Sequence, residues 1–364
     1  MDAITRLHVE SYGCIKKTTL ELTPLHALIG PNDSGKSTLL RALRTVTQFA
    51  GGTFQFDSND SERPARPFDP MLPRAPYVEL AVDCADMRYR LCRRDTLVTE
   101  RVEHFDLHPS DATQPTASEK QRDGWNTLGL LHADRALQPL RDVLKPARFL
   151  RLDPDAMRRP SPLIRERDHV SFLDERGAGL AGVYDIIRNR NLKAAAAILG
   201  DVQKLFPNVS EVGLVNISDR EKALRVVLTD GQEIQASALS EGLLYYLAFA
   251  ALKFLDPVTL LLVEEPENGL HPARVADVVR VFRDISRTTQ VVLATHSPLV
   301  INELQGDEVS VITRTPEEGT KARLLKNTFN YAERSKVYSN GELWLNYADG
   351  ESERDLFQQP KQAT

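Results

Sequence analysis

Residues 30–38 read Gly-Pro-Asn-Asp-Ser-Gly-Lys-Ser-Thr, and no other nine residues of the chain restrict its fold as much. The spacing G-x-x-x-x-G-K-[ST] suits a loop whose backbone N–H groups cradle phosphates, whose lysine reaches the β and γ oxygens and whose hydroxyl ligates Mg²⁺. The flanks agree. Residues 20–29 end in the apolar run Leu25-His26-Ala27-Leu28-Ile29, which reads as a strand, and Ser37-Thr38-Leu39-Leu40-Arg41-Ala42-Leu43 opens a helix. A phosphate held there meets a helix N-terminus. Gly30, Asn32, Ser34, Gly35, Lys36, Ser37 and Thr38 are therefore the candidate nucleotide-binding residues, with Ser37 also a candidate metal ligand.

Some 200 residues later three further segments carry chemistry. Leu260-Leu261-Leu262-Val263 lies between Pro257 and Pro266 and ends in Glu264 and Glu265, as expected of a strand buried on both faces of a parallel sheet. In a phosphate-loop enzyme the acid at that place serves Mg²⁺ and its water shell, here Glu264, with Glu where Asp is commoner. Glu265, the next residue, is then the candidate general base for the attacking water. A second apolar run, Val291-Val292-Leu293-Ala294, precedes His296. Between them Val275, Val278, Val279, Phe282 and Ile285 recur at helical spacing. The resulting strand-helix-strand unit is expected to return His296 to the sheet edge of Glu265, as a γ-phosphate sensor. Upstream of the acids stands Leu239-Ser240-Glu241-Gly242.

The N-terminal segment Ile4–Gly13, the GPNDSGKST loop, LSEG, EEPENGLHP at 264–272 and ATHSP at 294–298 together make the chain similar to ABC-type ATPase heads of the RecF/SMC/OLD group, among the prokaryotic AAA-family proteins. The resemblance covers residues 1–50 and 235–310. It implies an α/β fold, a P-loop NTPase of ABC-ATPase type with a mixed central sheet flanked by helices and a helical and stranded signature lobe. It also implies a homodimer in which two heads sandwich two ATP molecules, with Ser240 and Gly242 of one subunit contacting the γ-phosphate bound by the other. The helix from Glu241 would direct its N-terminal dipole at that anion. Asn268 to Pro272 would couple the two sites, and His296 would be the switch histidine. Tyr12 and Lys16 fall near where such heads hold adenine, whereas the glutamine that helps hold Mg²⁺ has no evident counterpart.

Domain organisation follows from the same landmarks: a head over 1–310 and a C-terminal extension over 311–364. The head divides into a phosphate-loop lobe (1–50), a variable insertion (51–170), a lobe leading to the signature (171–242) and a lobe with the acids and switch histidine (243–310). Within the insertion, Tyr77–Val82 and Met87–Leu91 read as a strand pair, and the Pro-rich, polar residues 106–124 as a flexible loop. Residues 182–205 read as helical, and 224–229 and 233–234 as strands joined by an Asp230-Gly231 hairpin turn.

With 46 basic and 51 acidic residues the net charge is −5, so no global field draws the chain onto nucleic acid. Any DNA contact is expected to be local. Residues 135–167 are the best candidate, with nine bases against four acids. Cys14, Cys84 and Cys92 lack metal-ligand spacing, which points to a reducing cytoplasm, and no apolar run of about 18 residues suggests a membrane span. There is no room for long heptad arms or for the nuclease domain that OLD proteins carry after the ATPase. Asp349, Glu351, Glu353 and Asp355 read as a solvated tail.

The expected activity is Mg²⁺-dependent ATP hydrolysis coupled to head dimerisation, in DNA repair or anti-phage defence, with a separately encoded effector such as a nuclease. The alternative is a nucleotide-gated scaffold that assembles a partner complex with negligible turnover. A small-molecule kinase would leave LSEG and ATHSP without roles.

Overall fold

A computed structural model of the chain describes residues 3–51, 77–94, 97–104, 117–123, 131, 135–164 and 168–345. In chain order its strands are β1 (Ile4–Tyr12), β2 (Ile15–Glu21), β3 (Leu25–Ile29), β4 (Tyr77–Cys84), β5 (Met87–Arg94), β6 (Leu97–His104), β7 (Ala117–Asp123), β8 (Arg148–Leu150), β9 (Ser161–Pro162), β10 (Val209–Asn216), β11 (Glu221–Leu228), β12 (Glu233–Gln235), β13 (Leu260–Glu264), β14 (Gln290–Thr295), β15 (Val309–Thr315) and β16 (Gly319–Leu324). The chain forms two compact units, one of residues 1–148, 258–262 and 286–364, the other of 149–257 and 263–285.

The first unit holds two sheets. One is antiparallel, in the order β2-β1-β4-β5-β6-β7. Its strands alternate as a half-buried sheet requires: along β5, Met87, Tyr89 and Leu91 are buried. The intervening Arg88 and Arg90 face carboxylates, Arg88 that of Asp83 and Arg90 those of Glu79 and Glu103. The strand pair read from residues 77–91 is present as β4 and β5. Residues 117–123, read from sequence as part of a loop, instead form β7, paired with β6. That polar run carries no apolar alternation, and the pairing comes from main-chain hydrogen bonds that composition does not reveal. The rest of 106–124 lies outside the described residues, as do Arg165, Arg167 and the acidic residues 349–355.

The other sheet is mixed. β3 runs parallel to β14 on one side and to β15 on the other, and β15 pairs antiparallel with β16. Every residue of β3 and β14 is buried, which explains their largely apolar text. The helix Lys36–Ala50 packs against β1, β4 and β14. It buries Leu39, Leu40, Leu43 and Val46, and each such aliphatic side chain contributes about 1.5–3 kcal/mol.

In the second unit β10, β11 and β12 form an antiparallel sheet, with β9 also against β11. Helices Leu180–Arg190, Leu192–Leu205, Glu241–Ala251 and Val275–Ile285 pack beside it and on one another. The segment 182–205 is thus two helices. Asn191 ends the first, donating its N–H to Ile187, and caps the second, its side chain accepting from the N–H of Ala194 at 3.0 Å. Helix Glu241–Ala251 is buried from Leu243 onward, and its Phe249 ring meets Phe282 edge-on at 5.1 Å.

Candidate functional site

The phosphate loop owes its place to register. β3 and β14 are parallel with Thr295 opposite Ile29, so both chains leave the sheet at the same edge. Gly30 follows one strand and His296 the other. Lys36, 6% exposed, donates to the carbonyls of Gly30 and Pro31, both at 2.8 Å, and its Nζ lies 3.4 Å from His296 Nδ1. Lys36 and His296 are therefore brought together within one unit.

The loop is shaped for an anion. Gly35 precedes the helix at φ 105° without a side-chain cap, and the first turn carries no acidic residue. The first-turn N–H groups that an α-helix leaves unpaired, and the positive end of its dipole, thus meet no acidic side chain of the helix's own first turn. The hydroxyl of Ser34 is buried and has no partner. Gly30 is needed for close approach, since a Cβ there would lie 2.1 Å from the Ile312 carbonyl and 2.8 Å from Ser34 Oγ. Ser37 and Thr38 are half-buried in the first turn, and Asn32 lies exposed at the tip. Tyr12 and Lys16 are otherwise engaged. The Tyr12 ring is buried with its hydroxyl 3.1 Å from Thr45 Oγ1, and Lys16 donates to the carbonyls of Pro316 and Glu317.

In the second unit the acids and the signature share one neighbourhood. Glu264 ends β13 with its side chain 5% exposed. Its Oε2 is 3.5 Å from Arg151 Nε, while Oε1 is buried without a partner. Arg151, read from sequence as part of a basic surface, thus faces Glu264, and Arg158 from the same run donates to the carbonyl of Leu239 at 3.0 Å. Glu265 stands in the left-handed region at φ 48°, and its Oε2 accepts from Asn268 Nδ2 at 2.6 Å.

Gly269 follows at φ 67°, where a Cβ would lie 2.7 Å from the Tyr245 ring and 3.1 Å from Glu241 Cβ. A Cβ on Gly242 would meet the Gly269 carbonyl at 3.0 Å. The two glycines thus allow the loop after Glu265 to lie close against the start of the helix Glu241–Ala251. Tyr245 in turn donates to the Leu152 carbonyl at 3.3 Å. Burial, reinforced by the Glu241, Asp153 and Glu265 carboxylates, pushes its hydroxyl up to about 12, so it remains a donor at neutral pH. Ser240 is exposed at the N-cap position with no side-chain capping bond, which leaves its hydroxyl available. Sequence reasoning missed Asn268 as a partner of Glu265 and Arg151 as a partner of Glu264. An Asn three residues after an acid that needs orienting was the available signal for the first.

Residues 108–302 match the family described as "AAA domain, putative AbiEii toxin, Type IV TA system", just over half of the chain. The chain belongs to that AAA domain family. Residues 3–86 of this AAA ATPase also match "AAA ATPase domain", so both motif groups fall inside matched segments. A stretch of 43 residues is 44% identical to an OLD nuclease of Thermus scotoductus (strain ATCC 700910 / SA-01), covering 12% of this chain and 8% of that protein. The AAA ATPase thus spans under a tenth of that relative.

Among solved structures it is similar to an SMC head bound to the C-terminal winged-helix domain of ScpA, with TM-score 0.53 and 16% identity over 88% of this chain and 97% of that one. It is also similar to an SMC head with an extended coiled coil bound to the C-terminal domain of ScpA, derived from Pyrococcus furiosus. There the TM-score is 0.50 and the identity 14% over 89% and 96% of the two chains. The fold is that of an ABC-type ATPase head, as in these SMC heads, and the matched family models describe AAA and AAA ATPase domains. Among the described residues no helix is long and apolar enough to cross a membrane.

Proposed function

We propose that this AAA ATPase binds Mg²⁺–ATP on residues 30–38, hydrolyses it with Glu265 as base, and couples the cycle to closure and opening of a homodimer. The observation that carries the reading is Lys36 and His296 side by side at the mouth of an anion-ready helix N-terminus. Each unit carries a buried polar atom without a partner among the described residues, the hydroxyl of Ser34 in one and Oε1 of Glu264 in the other, and these are atoms of the kind that a nucleotide and its cation would satisfy. Ser37 and Glu264 would hold Mg²⁺, which supplies charge neutralisation across the phosphate oxygens.

Each residue then has a task. Gly30, Asn32, Ser34, Gly35 and Thr38 wrap the phosphates through backbone and hydroxyl donors, and Lys36 exchanges its loop carbonyls for β and γ oxygens. Glu265 accepts a proton from the attacking water while the bond to the β–γ bridging oxygen breaks, and His296 reads whether the γ-phosphate is present. Ser240 and Gly242 serve the nucleotide of the opposite subunit. The OLD nuclease match and the toxin–antitoxin wording of the family description support a role beside a separately encoded effector, in defence or DNA repair.

Light scattering with and without ATP tests the cycle. Glu265→Gln should keep nucleotide binding, lose about 10²–10⁴-fold in turnover and accumulate as a dimer. Ser240→Arg should stay monomeric, and Lys36→Ala should not bind ATP. Normal turnover in Glu265→Gln would remove Glu265 as base, and unchanged affinity in Lys36→Ala would remove the loop from the mechanism.

A further inference from the structure

We infer that Arg314 is a positioning residue of the phosphate loop: its guanidinium holds Asp33 in a left-handed backbone conformation and neutralises the one carboxylate that the loop carries. The inference rests on nucleotide binding at residues 30–38.

Asp33 stands at φ 65°, a region that side-chain-bearing residues avoid and that Asp tolerates better than most. Arg314, near the end of β15, donates from Nη1 to Asp33 Oδ2 at 2.8 Å and to the Asp33 carbonyl at 3.3 Å. Carboxylate and main chain of one residue are thus gripped together. The rest of the β15–β16 hairpin presses on the same loop. Thr320, fully buried, donates to the Ser34 carbonyl at 2.9 Å. Because a trans peptide points its C=O and N–H in opposite directions, this bond turns the Gly35 N–H away from the hairpin. The Ile312 carbonyl closes on Gly30, and Lys16 anchors the hairpin turn through the Pro316 and Glu317 carbonyls. A segment that the sequence places beyond the head therefore sets the loop's shape.

The pair is unsuited to a stabilising role. The Asp33 side chain is 87% exposed and that of Arg314 37%, and exposed pairs contribute little to folding. A carboxylate on a phosphate-binding loop does have a consequence for affinity: unpaired, it repels the polyanion that the loop receives. The two N–H groups of the one nitrogen Nη1 reach both the carboxylate and the carbonyl, and the guanidinium stays charged at every accessible pH.

The test is isothermal titration of the full chain with Mg²⁺–ATP, alongside thermal melts without nucleotide. Arg314→Ala should weaken ATP binding by about tenfold, the order expected for loss of a charge-assisted contact, and leave the nucleotide-free melt unchanged. Measured in an Asp33→Gly background, where neither carboxylate nor left-handed strain remains, the same substitution should cost no more than about twofold. An equal cost in both backgrounds, or no cost in either, overturns the inference, as does an affinity loss that merely tracks a lowered melting temperature. Arg314→Lys keeps the charge and changes the reach and placement of the donor nitrogen. It should fall between wild type and Arg314→Ala, and it carries the comparison if Arg314→Ala does not fold. Failure of the wild-type chain to bind ATP would instead reject the nucleotide reading itself.

Discussion

Mild acid should loosen the sheet that carries the phosphate loop, and His26 is the group through which it acts. His26 lies on β3, fully buried, between Thr23 and Ser310. The Thr23 hydroxyl donates to the Leu25 carbonyl at 2.6 Å, so its oxygen accepts from His26 Nδ1, 3.1 Å away. That leaves Nε2 to accept from the Ser310 hydroxyl at 2.9 Å. The neutral ring is satisfied at both nitrogens, and a second proton has no acceptor prepared for it. Burial accordingly lowers the pKa from 6.5 to about 3, with the Asp307 carboxylate opposing weakly.

Because the folded-state value lies below the unfolded one, the unfolded chain binds the extra proton more readily. The stability linked to His26 is therefore complete above pH 6.5 and is lost progressively down to pH 3. Linkage puts that loss at about 2 kcal/mol at pH 5 and about 3 kcal/mol at pH 4. Urea unfolding at pH 7 and pH 5 measures it, with His26→Gln as the non-titrating reference. The glutamine variant starts less stable, since its amide fills the site poorly, yet on acidification it should lose about 2 kcal/mol less than wild type. Equal losses in the two proteins, within about 0.5 kcal/mol, would refute the reasoning, as would an imidazole resonance titrating near 6.5.

Two further outcomes follow from the site. Gly30→Ala would drive a Cβ to 2.1 Å from the Ile312 carbonyl, a backbone atom that cannot step aside, so nucleotide affinity in a binding titration should fall by at least about tenfold; unchanged affinity would mean that the loop is not held against β15. Asn268→Ala removes the 2.6 Å bond to Glu265 and should lower kcat by about tenfold with ATP affinity unaltered, whereas a fall in affinity with kcat preserved would place Asn268 in binding and not behind the base.

The parts legible in the sequence were those with one dominant cause. Largely apolar runs announced β3, β13 and β14 because strands buried on both faces are built mostly from such residues, and the loop spacing announced the N-terminus of helix Lys36–Ala50. The break at Asn191 was hidden because apolar spacing continues on both sides of it, and only the capping chemistry of one side chain separates the two helices. β7 was hidden because a strand at the end of a sheet can be stabilised by its backbone alone. The hairpin of β15 and β16 was the costliest omission. Its hold on Gly30, Asp33 and Ser34 joins residues about 280 apart in the chain, and nothing in the local text of residues 309–324 reports what they touch. Lys16 and Arg151 were assigned by charge and proximity to a motif, whereas their partners are main-chain carbonyls in one case and a buried carboxylate in the other.

Left-handed backbone recurs at the motifs: Asp33 and Gly35 in the phosphate loop, Glu265 and Gly269 just after β13. For glycine the conformation costs little, but for Asp33 and Glu265 it costs about 1–2 kcal/mol each. Strain of that size persists only where neighbours over-determine the local geometry. Each strained residue has such a neighbour on its own side chain, Arg314 for Asp33 and Asn268 for Glu265. A flexible loop would relax and spend that energy on rearrangement when ATP arrives. A loop held in advance spends none, so binding energy is free to be used at the transition state. The same reasoning separates the two restraints by their expected kinetic signature: releasing Asp33 should disturb the surface proposed to receive the phosphates and therefore affinity, whereas releasing Glu265 should disturb the proposed base and therefore turnover.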